Sequence, residues 1–404
     1  MSVKMRKALL VASAALVVAI AALPAIGQAN AAANGQSSTP NAANKQKPWI
    51  NHVIYNGYER SLSYPLLIEP GRVWMGVYDM SDLVMEYRRE FDEKTGKITF
   101  TNPWRRIELQ VGSKTALING NKVMLAAAPK RHEGTVYLPV QLLTQLLGQE
   151  VTWDSKTLTL TVHVQSRVLA VGWLDVYFWV DKLYGNIYKA KKGERAVLIS
   201  RATKDMRTAQ YMEIDSLQND RYLLRVLDRY AEPTQITKLL IEQNQLIAQA
   251  AVSYPGSWGL ESIERSGNSL IMIDGLSVQL AEPGVETRKY NMKAYGVNEP
   301  FAVEAVFDDA MLVRAYSSRT LLLVDLREKK TYALYKLLLD EKEQKFIDDA
   351  TAYNDGYPGD QLKLSGRKGD ILTFKHTRLM EPFGEETLTF ALPREVSSLP
   401  GATK

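Results

Sequence analysis

One stretch of this chain is written twice. Asn56-Gly57, Gly71-Arg72-Val73-Trp74-Met75-Gly76-Val77 and Phe91-Asp92-Glu93-Lys94-Thr95 return about 60 residues later as Asn119-Gly120, Gly134-Thr135-Val136-Tyr137-Leu138-Pro139-Val140 and Trp153-Asp154-Ser155-Lys156-Thr157. A spacing shared by turn residues, apolar positions and an aromatic-Asp step marks a duplicated supersecondary unit that packs against its own copy. Each Asn-Gly suits a two-residue hairpin turn, whose central positions both need positive φ. A short strand follows, and then Val77, Met80, Leu83, Val84 and Tyr87, or Val140, Leu143, Leu146 and Leu147, fall on one face of a helix. Pro139 suits the first turn of the second helix and Gly148 its stop. A second hairpin closes each copy, with an Asp-x-Lys-Thr turn leading into Ile98 and Phe100, or into Leu158, Leu160 and Val162. The expected unit is hairpin, helix, hairpin, repeated over about 51–101 and 114–162, its amphipathic helices packing the core. Trp153, alternating with Val151, is expected to be buried against Leu143 and Leu147.

These residues match a known family. The run Ile107-Glu108-Leu109-Gln110-Val111-Gly112-Ser113-Lys114, then Ile118-Asn119-Gly120, Gly134 to Val140 and Val151-Thr152-Trp153-Asp154, resembles the copper amine oxidase N-terminal-like domain, the stalk domain of exported envelope proteins in spore-forming Gram-positive bacteria. The resemblance covers roughly residues 50–164. In the first copy Met75-Gly76 stands where the family has Val/Leu-Pro, and Phe91 where it has Trp, which predicts a looser helix start there. The resemblance implies a non-catalytic spacer or binding module, because amine oxidation resides in a separate domain with three His ligands for copper and a quinone-forming Tyr. The four His here, His52, His132, His163 and His376, form no His-x-His pair, and Tyr353-Asn354-Asp355 reverses the quinone-precursor order. Scattered imidazoles give copper no site, and the sequence reading is of no cofactor and no metal.

The N-terminus speaks to compartment. Lys4, Arg6 and Lys7 precede an apolar run from Ala8 to Ile26, and Ala29-Asn30-Ala31 has the small-x-small pattern of a cleavage site, so residues 1–31 read as an export signal, with an uncleaved anchor as the alternative. No later segment is apolar enough to span a bilayer. The chain has no Cys, which excludes disulfides, thiolate metal sites and a lipid-modified Cys, and suits a bacterial envelope. Of the formal charge of +5, three units come from the signal's cations, leaving +2, so no nucleic-acid-binding surface is indicated. Residues 32–49, rich in Ala, Asn, Gln and Ser, read as a tether and 396–404 as a flexible tail. The expected location is secreted, in contact with the cell wall; oligomeric state is open.

Residues 165–395 carry strand-like runs behind polar turns: Trp173 to Val180, Tyr222 to Leu227, Leu270 to Ile273, Met311 to Tyr316 and Ile371 to Lys375, spaced as the blades of a propeller are. Leu321-Leu322-Leu323-Val324-Asp325 and Tyr332-Ala333-Leu334, joined through Arg327 to Lys330, read as the inner-to-outer meander of one such blade. The fold class is therefore mostly β: a small α+β stalk-like module followed by a β-propeller-like domain, with a meander or sandwich as alternative. Trp173, Tyr177, Trp179 and Tyr184 are the candidate ligand-contacting aromatics, with core or inter-domain packing as their other reading. Asp308-Asp309, Asp348-Asp349 and Asp355-Gly356 read as turn residues rather than a catalytic carboxylate pair. No Walker loop, calcium loop, nucleophile elbow or His-Glu-x-x-His helix occurs. The function expected is binding or scaffolding at the envelope without catalysis, with a cell-wall polymer or an envelope protein as partner. The alternatives are a glycan-acting hydrolase and an extracytoplasmic sensor or inhibitor.

Overall fold

The computed structural model describes residues 50, 52–228, 234–254, 262–351 and 359–393. The expected signal, tether and tail, and the Tyr353 to Gly356 segment, lie outside the described residues.

In chain order the first module runs β1 (His52–Tyr55), β2 (Tyr58–Ser61), β3 (Leu67–Glu69), β4 (Arg72–Gly76), α1 (Val77–Leu83), β5 (Arg88–Asp92), β6 (Lys97–Thr101) and β7 (Arg106–Gln110). The second copy follows as β8 (Thr115–Ile118), β9 (Asn121–Met124), β10 (Lys130–His132), β11 (Thr135–Pro139), α2 (Gln141–Gln145), β12 (Glu150–Asp154) and β13 (Thr159–His163). The Asn-Gly turns form as expected, with φ of 49° and 87° in the first copy and 51° and 88° in the second. Both Asp-x-Lys-Thr turns close alike: Asp92 Oδ1 accepts from the Lys94 and Thr95 amides, and Asp154 Oδ1 from those of Lys156 and Thr157.

The two copies exchange strands. The sheet β12-β13-β1-β2 joins the last hairpin to the first, with β1 parallel to β13, and β5-β6-β7-β8-β9 joins the middle two hairpins through β7. In the third sheet, β10-β11-β4-β3, β11 runs antiparallel to β4 with Leu138 opposite Met75, Pro139 opposite Trp74 and Tyr137 opposite Gly76. Met75 and Leu138 are equivalent positions of the repeat, so a local twofold passes between them. One core results, with Val53, Met80, Leu83, Leu138, Leu143 and Leu160 all buried.

The unit carries more than the sequence pattern showed. A further hairpin, β3–β4 or β10–β11, precedes each helix. Pro139 ends β11 instead of opening α2: it has no N–H to give the ladder, and the next amide, Val140, donates to the Val73 carbonyl. Nor is the first helix the looser one, since α1 has seven residues and α2 five. Buried Asp79 fastens α1 by accepting from the Ser63 and Tyr64 amides at 2.6 and 3.1 Å, where the second copy has Leu142.

The second module begins with an antiparallel sheet of β14 (Val168–Trp173), β15 (Val176–Asp181), β16 (Asn186–Lys191) and β17 (Val197–Arg201). Three more four-stranded meanders follow in chain order, with second strands Arg221–Asp228, Ser269–Asp274 and Ala310–Ala315, and then a three-stranded one centred on Ile371–Thr377. The five strand-like runs marked in the sequence fall on the second strands of their sheets; the first four of these strands are largely buried, whereas Ile371–Thr377 alternates buried and exposed residues. The first run needs correction: Trp173 ends β14 and Val176 opens β15, parted by Leu174-Asp175 with Leu174 at φ 50°. A turn inside an aromatic run, with no Gly or Asn, gave no sequence signal. Successive sheets pack face to face: Phe178 with Leu224, Leu223 with Leu270, Ile271 with Val313, and Leu312 with Phe374 share clusters. The chain is mostly β throughout. Between the last two sheets it forms α3 (Leu334–Leu338) and α4 (Glu341–Thr351), unforeseen because α4 turns little apolar surface inward beyond Ile347.

The modules meet across β15. Trp179 is fully buried and donates its indole N–H to the Glu86 carbonyl at 2.9 Å; Arg88 stands over the Tyr177 ring and Arg167 over Trp104. Polar ties surround them: the Gly193 amide reaches Glu90 at 3.0 Å, and Arg195 the Asn119 carbonyl at 2.9 Å. Gly172 has no room for a side chain, since a Cβ there would lie 2.6 Å from the Tyr177 ring. The described residues from 50 to 393 accordingly form one compact unit.

Candidate functional site

A groove of about 500 Å³ opens in the first module between β3–β4 of the first copy and α2 with the β12–β13 turn of the second. Ile68, Val73, Val140, Val151 and Leu158 give it an apolar floor beside Trp153, and Arg72, Gln141, Thr144 and Ser155 stand exposed at its rim. Trp153 is therefore not the buried residue the alternation implied. On the edge strand β12 the indole is only partly buried, though it packs against the core cluster that contains Leu143 and Leu147. The wall is electrically quiet, because Glu69 accepts from the Trp74 indole at 2.9 Å and pairs with Lys130. Asp154 keeps the adjoining turn closed, its carboxyl lowered below the usual range by the Lys156 amide and by Thr157.

The repeat supplies an internal control. Across the local twofold, Ile68 corresponds to Arg131, Val151 to Arg89, Gln141 to Tyr78 and Trp153 to Phe91. There the Arg89 guanidinium lies 3.9 Å from the centre of the Tyr78 ring and that of Arg131 5.8 Å from the Phe91 ring, while Arg131 also donates to the Glu93 carbonyl at 2.8 Å. The twin groove is occupied by the protein's own cations stacked on its aromatics. Leu158 stands where the first copy has Gly96, and both adopt positive φ, 54° and 72°. A Leu in that region costs about 1 kcal/mol, and its side chain forms part of the floor of the open groove.

The aromatics singled out in the sequence do not assemble. Trp179 and Tyr177 are buried at the module junction, out of a ligand's reach. Trp173 and Tyr184 are 46% and 49% exposed but sit at opposite ends of the β14–β15 pair. Trp173 borders a pocket of about 310 Å³ with Asp215 and Glu264. Arg225 bridges those carboxylates, and Lys238 adds a second cation. Burial pushes the Glu264 carboxyl up, but Lys238 and Arg225 outweigh it and leave it below its ordinary value. A glycosidase acid needs the reverse, a carboxyl raised so that it carries a proton.

Of the acidic pairs, Asp309 is held by both Arg367 nitrogens at 2.6 and 2.8 Å. Asp348 and Asp349 are not turn residues: they belong to α4, where Asp348 binds Tyr335 and Lys336. Among the described residues one group could hold a metal, Glu343, His376 and Glu386. The sequence could not show it, because its members come from three elements and contain a single His.

The geometry defines a small α+β module with a duplicated, strand-exchanged core. The family model described as the copper amine oxidase N-terminal domain matches residues 54–162, both copies of the repeat. No curated protein matches the chain. Among solved structures, similarity is found to a nidogen/laminin complex (14% identity, 70% of this chain and 86% of that one, TM-score 0.18). It is found also to apo AztD from Citrobacter koseri (10%, 79% and 82%, 0.22) and to the dihydro-heme d1 dehydrogenase NirN in complex with DHE (8%, 73% and 75%, 0.22). Similarities of that size carry no argument about fold or activity here. No helix among the described residues is long and apolar enough to cross a membrane.

Proposed function

We propose that the protein is an exported, non-catalytic scaffold of the cell envelope that holds a wall glycan in the groove at Trp153. The observation that carries this reading is the contrast between the two related faces: Trp153 lines an open groove, whereas at the equivalent positions Arg89 and Arg131 lie over Tyr78 and Phe91. An indole beside an apolar floor suits the C–H face of a sugar ring, and Gln141, Thr144, Arg72 and Ser155 can satisfy its hydroxyl and acetamido groups. The export reading rests on the N-terminal Lys4 to Ala31 pattern. In the Trp173 pocket the hydrolase alternative is disfavoured, because Asp215 and Glu264 there are held by Arg225. Calorimetry with soluble peptidoglycan fragments tests the reading. Binding with a stoichiometry near one, abolished in Trp153→Ala and kept in Trp173→Ala, supports it, whereas heat that survives Trp153→Ala removes its basis.

A further inference from the structure

A cluster in the last sheet has the construction of a cation site. Glu343 comes from α4, and His376 and Glu386 stand opposite one another on neighbouring strands, Ile371–Thr377 and Glu385–Ala391, so both face the helix. One ligand atom from each lies within 4.8 Å of the other two. His376 and Glu343 are buried, and Glu386 is partly exposed, giving a route from solvent.

The spacing leaves room for an ion between the groups as well as for a long ion pair. His376 Nε2 lies 3.3 and 3.4 Å from the two Glu343 oxygens and 3.9 Å from Glu386 Oε1. A charge-assisted bond between an imidazolium and a carboxylate would close to about 2.8 Å on one oxygen. Instead the nitrogen faces the mouth of the Glu343 carboxylate, nearly equidistant from both oxygens. Donors at roughly 2.0–2.2 Å around a tetrahedral ion stand about 3.3–3.6 Å apart, the separation seen for the Glu343 pair, with Glu386 slightly farther at 3.9 Å. The carboxylate is also oriented from behind, since Glu343 Oε1 accepts from the Leu379 amide at 2.7 Å. Charge runs the same way. Glu343, Glu386 and Asp340 face one cation, Arg378, which is bonded to Asp340 at 2.7 Å and only approaches Glu343, at 3.9 Å. A divalent ion with a neutral imidazole balances that set.

We infer that Glu343, His376 and Glu386 form a binding site for a divalent first-row transition ion, zinc being the best-suited probe. One imidazole and two carboxylates suit such an ion better than a soft monovalent one, which wants sulfur, or calcium, which wants oxygen alone. The partly exposed side leaves a coordination position for water. His376 Nδ1 is buried without a partner, so no outer ligand fixes the ring, and affinity falls short of that of a closed structural zinc site.

The test uses the full chain, stripped with chelator and titrated with zinc against a chromophoric competitor, with melting temperature followed in parallel. The expected result is one equivalent bound and a raised melting temperature. His376→Asn should abolish it but removes a buried side chain, so the deciding variant is Glu386→Gln. That variant should keep the metal-free melting temperature and weaken zinc by ~10-fold or more. A His52→Asn/His132→Asn/His163→Asn variant, altered only at the other three histidines, should bind as the parent does. Absence of zinc binding, affinity unchanged in Glu386→Gln, or affinity lost with the three other histidines would each overturn the assignment.

Discussion

At the scale of single residues, three side chains separate stability from binding. Trp153 is partly buried on an edge strand, so Trp153→Ala should cost about 1–2 kcal/mol, less than the 3–5 typical of a buried aromatic. Chemical denaturation reads that number, and a loss at the upper end would return Trp153 to the core. Leu158→Gly relieves a positive φ while removing part of the groove floor, so its net effect should stay within about 1 kcal/mol. Leu160→Ala, two residues on and fully buried, should cost about 2–5 kcal/mol. Glu86 at the module junction has its carboxyl raised above 4.5, first by burial, with Arg167, Arg105 and Gln149 only partly offsetting it. For a carboxyl raised in the folded state, the folded form bears the cost only when the group is ionised. The penalty is therefore absent below the unfolded pKa and develops as pH rises through the folded one. Glu86→Gln should accordingly stabilise the protein at pH 7, with the gain vanishing by about pH 4. A gain that grows on acidification would show that the carboxylate is stabilised there instead.

Secondary-structure elements show which parts of the fold a sequence declares. The Asn-Gly hairpins and the Asp-x-Lys-Thr turns were legible because each depends on residues a few positions apart, whose φ values and side-chain oxygens fix the turn alone. Strand exchange between the copies was not, since pairing β1 with β13 is decided by the shared core and not by either strand's pattern. The same limit hid the open groove. Trp153 and Val151 alternate as buried residues do and both pack against the core, but that they stay partly exposed along a groove depends on how the two copies meet. Nor could spacing reveal that Arg89 and Arg131 fold onto Tyr78 and Phe91, which requires knowing that the copies face each other. The contrast can be reversed by design. Arg89→Val with Arg131→Ile and Phe91→Trp should open the twin groove and raise ligand stoichiometry from one toward two, read by calorimetry on protein of unchanged circular dichroism. Stoichiometry that stays at one would mean that the open groove depends on more than those three positions.

Across the whole molecule, the stalk-type module and the β meanders hold one another through Trp179, Arg88 and Gly172. Gly172→Ala should cost about 1–3 kcal/mol, because the added methyl collides with the Tyr177 ring and must displace it from Arg88. A melting temperature equal to the parent's would show that the junction yields freely. The second module was readable as a succession of β meanders because an apolar run behind a polar turn marks each second strand, but its helices and its Glu343–His376–Glu386 cluster come together only in three dimensions. The central claim is that the open groove holds wall glycan, and co-sedimentation of the purified protein with isolated cell-wall sacculi tests it most directly. The account predicts that the parent protein and Trp173→Ala pellet with the sacculi while Trp153→Ala, folded to the same extent, stays in the supernatant. Equal pelleting of all three, or of none, would contradict it.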